Sequence, residues 1–484
     1  MQFEVTVDPP KGRNPRLPNW AGAIAHPAVE FGPTPLPVLS GAIPASLRGS
    51  LYRNGPGLLE RQGQRVAHWF DGDGGILAVH FKDTGATGLY RYVQTQGWQA
   101  ENQADRFLYA GYGQQASGPM WKRWGTHTKN TANTSVLVLP DRLLALWEGG
   151  FPHALDLETL ATQGLDDLGS LQEGMTFSAH PKIDPETGEI YNFGVRYGPQ
   201  PSLQLYGCAP SGQIQHQAKI PLAHAPLIHD FGLAGPYLVF LVPPVHLQLL
   251  PVLLGLKGFS DALQWQPQFG TQVIVVERAT LTEIARFEVE PWFQWHIGNS
   301  YVTESGALIV DLVRYQDFQT NQWLQEVVTG QPQTLAPGTL WRLHLDVKTR
   351  QLTHQHPLWH CDCDFPSVAP QEQGQPHQFL YFSTQSSPDA PTEEFFNAIG
   401  CLDNCTQAVT SVVFPEGCYP MEPVYVPDPV EPSRGWIATV VYDSQQHQST
   451  VQVFRAHPLE PEAICVLALP EVIPFGFHGR WQAQ

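Results

Sequence analysis

The sequence predicts an all-β chain and points, within that class, to a seven-bladed β-propeller. Composition is the first reason. Charged residues are only 15% of the 484 positions and aromatics 11%, while 43 glycines and 44 prolines supply turn chemistry throughout. Such a chain builds many short strands rather than long helices. The second reason is pattern. Apolar runs bounded by turn residues predict strands at 135–139, 143–147, 272–276, 307–313, 339–345, 379–382, 436–442 and 451–454, with no long amphipathic helix among them. The third is a recurrence, an acid followed three residues later by threonine, at Asp156/Thr159, Asp184/Thr187, Glu277/Thr280 and Asp346/Thr349. Each pair reads as a hairpin turn opened by an acidic side chain that bonds the backbone. The last two acids lie 69 positions apart, close to one seventh of the chain, although the intervals of 28 and 93 fit no such period.

Taken in order, residues 1–37 are rich in Pro and Asn and read as a wrapping N-terminal arm. No linker divides residues 38–484, which are expected to form a single propeller domain. The segments LYRNGPG (51–57) and HWFDGDG (68–74) read as tight, glycine-dense turns. Residues 236–256 are almost wholly apolar and long enough to span a bilayer, but Pro243, Pro244 and Pro251 break the stretch, and His246 and Gln248 interrupt it. Its first half, 237–242, reads as a buried strand. Its second half contains Leu247, Leu249, Leu250, Val252, Leu253, Leu254 and Leu256. It reads either as core packing or as a surface segment that dips into a membrane.

The net charge of −18 argues against nucleic acid and against electrostatic adhesion to anionic lipid. Seven cysteines are too few and odd in number for a disulfide scaffold, so free thiols are expected. The first twenty residues hold no apolar signal core, and a reducing cytoplasm is the expected location.

The segment IPFGFHGRW (473–481) surrounds His478 with aromatics and glycines only six residues from the last position, which predicts a docked rather than frayed end. Three more histidines, His180, His229 and His296, sit in similar apolar settings at strand ends. The gaps of 49, 67 and 182 positions approximate one, one and three blade lengths, so each imidazole could project from a different blade toward a shared axis. Four neutral imidazoles suit Fe, Zn, Cu or Ni. They would close a tetrahedral zinc site, or leave room for substrate and O2 on iron. Ligating histidines usually donate their second N–H to a carboxylate, and Glu148, Asp364 and Glu422 are acids in equally apolar surroundings.

At these residues the chain closely resembles the carotenoid cleavage oxygenase family, and within it the cyanobacterial apocarotenoid oxygenases. The likeness runs from about Gly41 to Trp481 through LYRNGPG, HWFDGDG, KNTANTS, RLLALWEGG, LDDL, SAHPKIDP, IHDF, MEPVYVP and the terminal HG-W. It implies a seven-bladed propeller, capping loops over the metal face, and Fe(II) on the axis. His180, His229, His296 and His478 are then the iron ligands. Glu148, Asp364 and Glu422 are the acids that orient His229, His296 and His478. The family normally places Glu where this chain has Asp364, so a shorter side chain must reach His296 through a backbone shift or a water. Thr134 matches a threonine that crowds an open coordination position, and Phe70, Trp147 and Trp295 match aromatics of the substrate tunnel. The segment 247–256 falls where relatives carry a membrane-docking patch.

The resemblance implies a dioxygenase that uses O2 to split a conjugated C=C bond of an apolar apocarotenoid, at the central 15,15' bond, giving retinal-type aldehydes. Two alternatives stand beside it. One is cleavage of a hydroxylated stilbene, for which relatives use a tyrosine and a lysine; here Trp98 stands where the tyrosine is frequent, while Lys129 remains. The other is a propeller that binds carotenoids without chemistry.

Overall fold

The computed structural model describes residues 18–118, 128–388, 394–431 and 434–484. Its backbone is a ring of seven antiparallel sheets, the seven blades of a propeller, with two small two-stranded sheets outside the ring. The innermost strands of blades two to six are Ser135–Val138, Lys182–Ile183, Gly232–Ala234, Ile297–Val302 and Cys363–Ser367. Blade seven presents Cys418–Pro420 and Val424–Pro427 to the axis, both paired with Gly435–Asp443.

Blade one is completed from the far end of the chain. Gly479–Ala483 pairs with Gly49–Leu58 as its innermost strand. In return Val38–Gly41 pairs with Cys465–Ala468 in blade seven. Each of these segments therefore completes the other's blade, which ties the first blade of the ring to the last. From the predicted arm, Asn19–Ile24 forms a 3-10 helix and Phe31–Pro35 adds an outer strand to blade one. Residues 1–17 of the arm lie outside the described residues.

All eight predicted strands exist, each within three residues of its expected ends. The segment Tyr237–Val242 is a strand in which Leu238, Val239, Phe240 and Leu241 are fully buried. A side chain of that size contributes about 1.5–3 kcal/mol on leaving water. Among the described residues three α-helices occur, α1 Gln96–Ala104, α2 Leu249–Leu253 and α3 Gln319–Val327, none longer than nine residues. None of the described helices is long and apolar enough to cross a membrane. All seven cysteines are free thiols.

Two readings need correction. LYRNGPG and HWFDGDG are not tight turns. The first lies inside the strand Gly49–Leu58, and the second is a short 3-10 helix, Trp69–Asp71, leading into the strand Asp73–Lys82. Their glycines make room rather than bend the chain. A Cβ at Gly55 would lie 2.4 Å from the Cα of Gly476, and one at Gly74 would lie 2.2 Å from the Ala132 carbonyl oxygen. The second correction concerns Leu247, which belongs to the strand Val245–Leu247 and is buried. Leu249 and Val252 are half-buried against the core, and only Leu250, Leu253, Leu254 and Leu256 are exposed.

The acidic turns are hairpins, as expected. Asp156, Asp184 and Asp346 each accept two-residues-on backbone N–H bonds, at 3.1, 3.0 and 2.8 Å. Glu277 instead accepts from the Thr280 hydroxyl. In every case the residue after the threonine is left-handed: Leu160, Gly188, Leu281 and Arg350 have φ of 57, 72, 53 and 57°. At Asp156 and Asp184 the N–H of that left-handed residue bonds back to the acid's own carbonyl four positions earlier, Leu160 N to Asp156 O at 2.9 Å and Gly188 N to Asp184 O at 2.8 Å. Asp403 and Asp443 open two further turns of this form, with Gln407 and His447 left-handed. The period failed because Asp184 joins the two inner strands of blade three, whereas Asp156, Glu277, Asp346 and Asp403 join outer pairs.

Candidate metal centre

Each of the four histidines stands just before an innermost strand. His180 precedes Lys182–Ile183 in blade three, His229 precedes Gly232–Ala234 in blade four, His296 precedes Ile297–Val302 in blade five, and His478 precedes Gly479–Ala483 in blade one. The three acids come from the remaining blades. Glu148 follows Leu143–Leu146 in blade two, Asp364 is within Cys363–Ser367 in blade six, and Glu422 interrupts the inner edge of blade seven. All seven blades thus contribute one group to the hub.

The four imidazoles are buried, and one nitrogen from each lies within 4.8 Å of the other three. The Nε2 atoms of His180 and His229 are 3.0 Å apart, and those of His229 and His296 are 3.3 Å apart. Burial, reinforced by the other imidazoles, holds His180 well below the usual histidine range. Imidazoles packed this closely crowd one another's ring nitrogens, and a cation among them resolves the conflict. The donor set therefore fits a bound metal ion.

The acids brace the outer nitrogens. His229 Nδ1 lies 2.5 Å from Glu148 Oε1, His296 Nδ1 lies 2.7 Å from Asp364 Oδ1, and His478 Nδ1 lies 2.8 Å from Glu422 Oε1. His180 has no such close brace from them, since Glu148 Oε1 is 3.9 Å from its Nε2. Burial pushes a carboxyl up, yet at Asp364 the His296 imidazole and the Tyr315 hydroxyl outweigh it and hold the acid below its usual range. Glu422 is held low in the same way by His478 and Arg53.

The short Asp364 reaches His296 directly. Register between Cys363–Ser367 and its neighbour slips after Asp364, and Phe365 takes a left-handed φ of 55°. That bulge re-aims the side chain at the hub. Three supporting residues were not singled out from the sequence. Tyr315 donates its hydroxyl to Asp364 Oδ2 at 2.8 Å. Gly479 N–H donates to Glu422 Oε2 at 2.6 Å, and Arg53 lies 3.7 Å from the same oxygen. Arg53 lies in LYRNGPG and Gly479 in the terminal HG-W, and a lone charge within an apolar, glycine-rich segment is the sequence signal for the first.

The C-terminal segment is docked as expected. Phe477 N–H donates to Asn54 O at 2.9 Å, and Asn54 N–H donates to His478 O at 2.8 Å. Two apolar cavities meet beside the hub and share Phe70, Thr134, His229 and Trp295 as walls. Trp147 lines only the second, together with Tyr112, Tyr197 and Phe259. The Trp295 ring packs edge-on to His229 at 4.9 Å and to Phe70 at 5.5 Å. Trp98 and Lys129 line neither cavity. Lys129 Nζ is instead locked between Asp73 Oδ1 at 2.5 Å and Glu101 Oε2 at 2.6 Å, and Trp98 packs on Tyr92.

The protein family described as retinal pigment epithelial membrane protein matches residues 24–483. The chain belongs to this family, that of the carotenoid cleavage oxygenases. Among its relatives, an apocarotenoid-15,15'-oxygenase of Synechocystis is 35% identical over 92% of this chain and 92% of that one. A resveratrol cleavage oxygenase of Aspergillus fumigatus is 27% identical, covering 96% of both. The crystal structure of a cobalt-substituted Synechocystis apocarotenoid oxygenase superposes with a TM-score of 0.86 at 32% identity, over 96% of this chain and 98% of that one. Relatives in the family are oxygenases, and the four buried histidines of the hub could hold a metal ion.

Proposed function

We propose that this carotenoid cleavage oxygenase is an Fe(II) dioxygenase that splits the central 15,15' double bond of an apocarotenoid into two carbonyl products. The observation that carries the reading is the meeting of two apolar cavities at His229, one of four clustered buried imidazoles, with His296 and His478 also walling the first. A rod-like polyene threaded through both arms would lie with an interior double bond beside the hub. Iron held there by His180, His229, His296 and His478 would supply the O2 chemistry.

The protein's own residues do the rest. Glu148, Asp364 and Glu422 fix the ring orientations of His229, His296 and His478, keeping their inward nitrogens free for the metal. Four neutral ligands leave the ion its full charge, and the ionised acids lie behind the rings rather than on it. Thr134 narrows the space where the two arms join. Phe70, Trp147 and Trp295 hold the polyene by dispersion, and their ring faces stabilise positive charge developing along it. No side chain is required to move a proton in this scheme.

The exposed leucines Leu250, Leu253, Leu254 and Leu256 support peripheral contact with a membrane, from which an insoluble polyene would enter. Cleavage of a stilbene is the weaker reading, because Lys129 is committed to buried acids and Trp98 cannot accept a phenolic proton. Metal analysis of purified protein, followed by product masses from a panel of apocarotenals and from resveratrol in detergent, tests the proposal. Retinal-mass aldehydes from the apocarotenals alone are expected. Iron-loaded protein that yields product only from resveratrol, or none from any substrate, would overturn it.

A further inference from the structure

A second group of imidazoles sits away from the hub, on blade five. His344 lies on the strand Thr339–Asp346, and His354 and His356 lie on the outermost strand, Gln351–Trp359. The register places His344 directly opposite His354. His356, two residues on, shares that face by strand alternation. Gln355 between them turns the other way, accepting from Arg314 Nη1 at 2.9 Å and donating to Glu290 Oε1 at 3.0 Å.

The three rings form a triangle. Their centroids are 5.3 Å (His344 to His354), 5.9 Å (His344 to His356) and 5.1 Å (His354 to His356) apart. At the hub the same separations run from 4.3 to 5.4 Å. The blade-five triangle is thus only slightly wider than an arrangement that converges on one point. Among the described residues, only the hub already brings its ligand nitrogens within 4.8 Å of one another. His354 is exposed on its edge strand, where its ring can take other rotamers, and closure onto one ion would need it to turn toward His344 and His356.

Two of the three rings are held neutral, the form in which imidazole ligates a metal. Burial, together with His354 beside them, keeps His344 and His356 below the usual histidine range. Arg342 shares the face but is neutralised by Asp311, through paired contacts of 2.7 Å each. His356 Nδ1 is shielded from solvent without a hydrogen-bond partner, so the group carries an unsatisfied lone pair or N–H. We propose that His344, His354 and His356 form a surface site for a divalent transition-metal ion of the Zn2+, Ni2+ or Cu2+ class, with further coordination positions open to water. The site is separate from the hub and does not rest on the reading of the hub's chemistry.

Calorimetric titration of the iron-loaded, untagged full chain with Zn2+ tests it, comparing the parent with a His354→Gln/His356→Gln variant. The parent should bind one Zn2+ beyond its iron. The variant should lose affinity by more than the roughly 100-fold that changes around a ligand cost, with iron content and melting temperature unchanged. Retention on immobilised Ni2+ gives a second readout, on which a His354→Gln variant at the exposed position should elute earlier than the parent. Equal zinc stoichiometry and affinity in parent and variant would overturn the site. Zinc uptake matched by iron release in both proteins would overturn it equally.

Discussion

The hub and the rim of the ring are both built by repetition, but of opposite kinds. At the rim, hairpins in different blades repeat the same local chemistry: an acid opens the turn and a left-handed residue closes it, as at Asp156/Leu160, Asp346/Arg350 and Asp403/Gln407. At the hub, successive blades contribute different residues from different strand positions, His478, Glu148, His180, His229, His296, Asp364 and Glu422. A rim turn is satisfied within five residues. A hub group is satisfied only by partners such as the pair His478 and Glu422, 56 positions apart. Repetition of sequence therefore marks the part of the fold that works locally, and its breakdown marks the part that works as an assembly.

If the hub is one cooperative unit, its members should fail together. Replacing His229 with Ala should abolish iron retention and lower cleavage by more than about 100-fold, read by metal analysis and product formation. Glu148→Gln keeps the side-chain size but weakens the brace on His229, and should cost about 10–100-fold in iron affinity. A variant with full iron content and unchanged turnover would show that the acid only fills space.

Between hub and rim lies the buried pair Asp311 and Arg342, with His377 Nε2 at 3.2 Å from the same carboxylate. Burial raises Asp311, but Arg342 and His377 outweigh it and hold the acid below its usual range. Asp311→Asn strands a buried guanidinium and should destabilise the chain by about 3–5 kcal/mol in denaturant melts. The sign of its pH dependence follows from the depressed carboxyl. The contribution should be full at neutral pH and above the unfolded-state value of about 3.9, and lost as pH falls through the folded value. A parent-to-variant difference that grew with acidification would contradict this assignment. The smallest effect belongs to the rim. Asp156→Ala removes bonds to Glu158 N and Thr159 N and should cost about 1 kcal/mol, with iron content and turnover untouched.

Legibility in the sequence followed the same division. The eight strands were readable because their apolar runs must be covered on both faces, whatever surrounds them. The acidic turns were readable too, though Asp443 was hidden because Gln446 replaces the threonine. The four histidines and three acids were found through their apolar settings and motif resemblance, and the one, one and three blade spacing of the histidines matches blades three, four, five and one. Glycine misled where it serves packing. Gly55 and Gly74 sit in extended strands, and only the approach of Gly476 and Ala132 explains them. Leu247 misled for a related reason, since its burial depends on a strand partner, Leu263, sixteen positions away.

By itself the sequence determined strand content, turn chemistry and the identity of the metal-competent residues, because these depend on side-chain type and near neighbours. Tertiary structure alone decided how they are spent. Closure of the ring by Gly479–Ala483 against Gly49–Leu58 sets His478 opposite His180 and His296. The bulge after Asp364 lets a short acid reach His296. The buried acids around Lys129 remove that amine from the cavity wall. Each outcome depends on distances between residues far apart in the chain, and those distances exist only once the blades have packed.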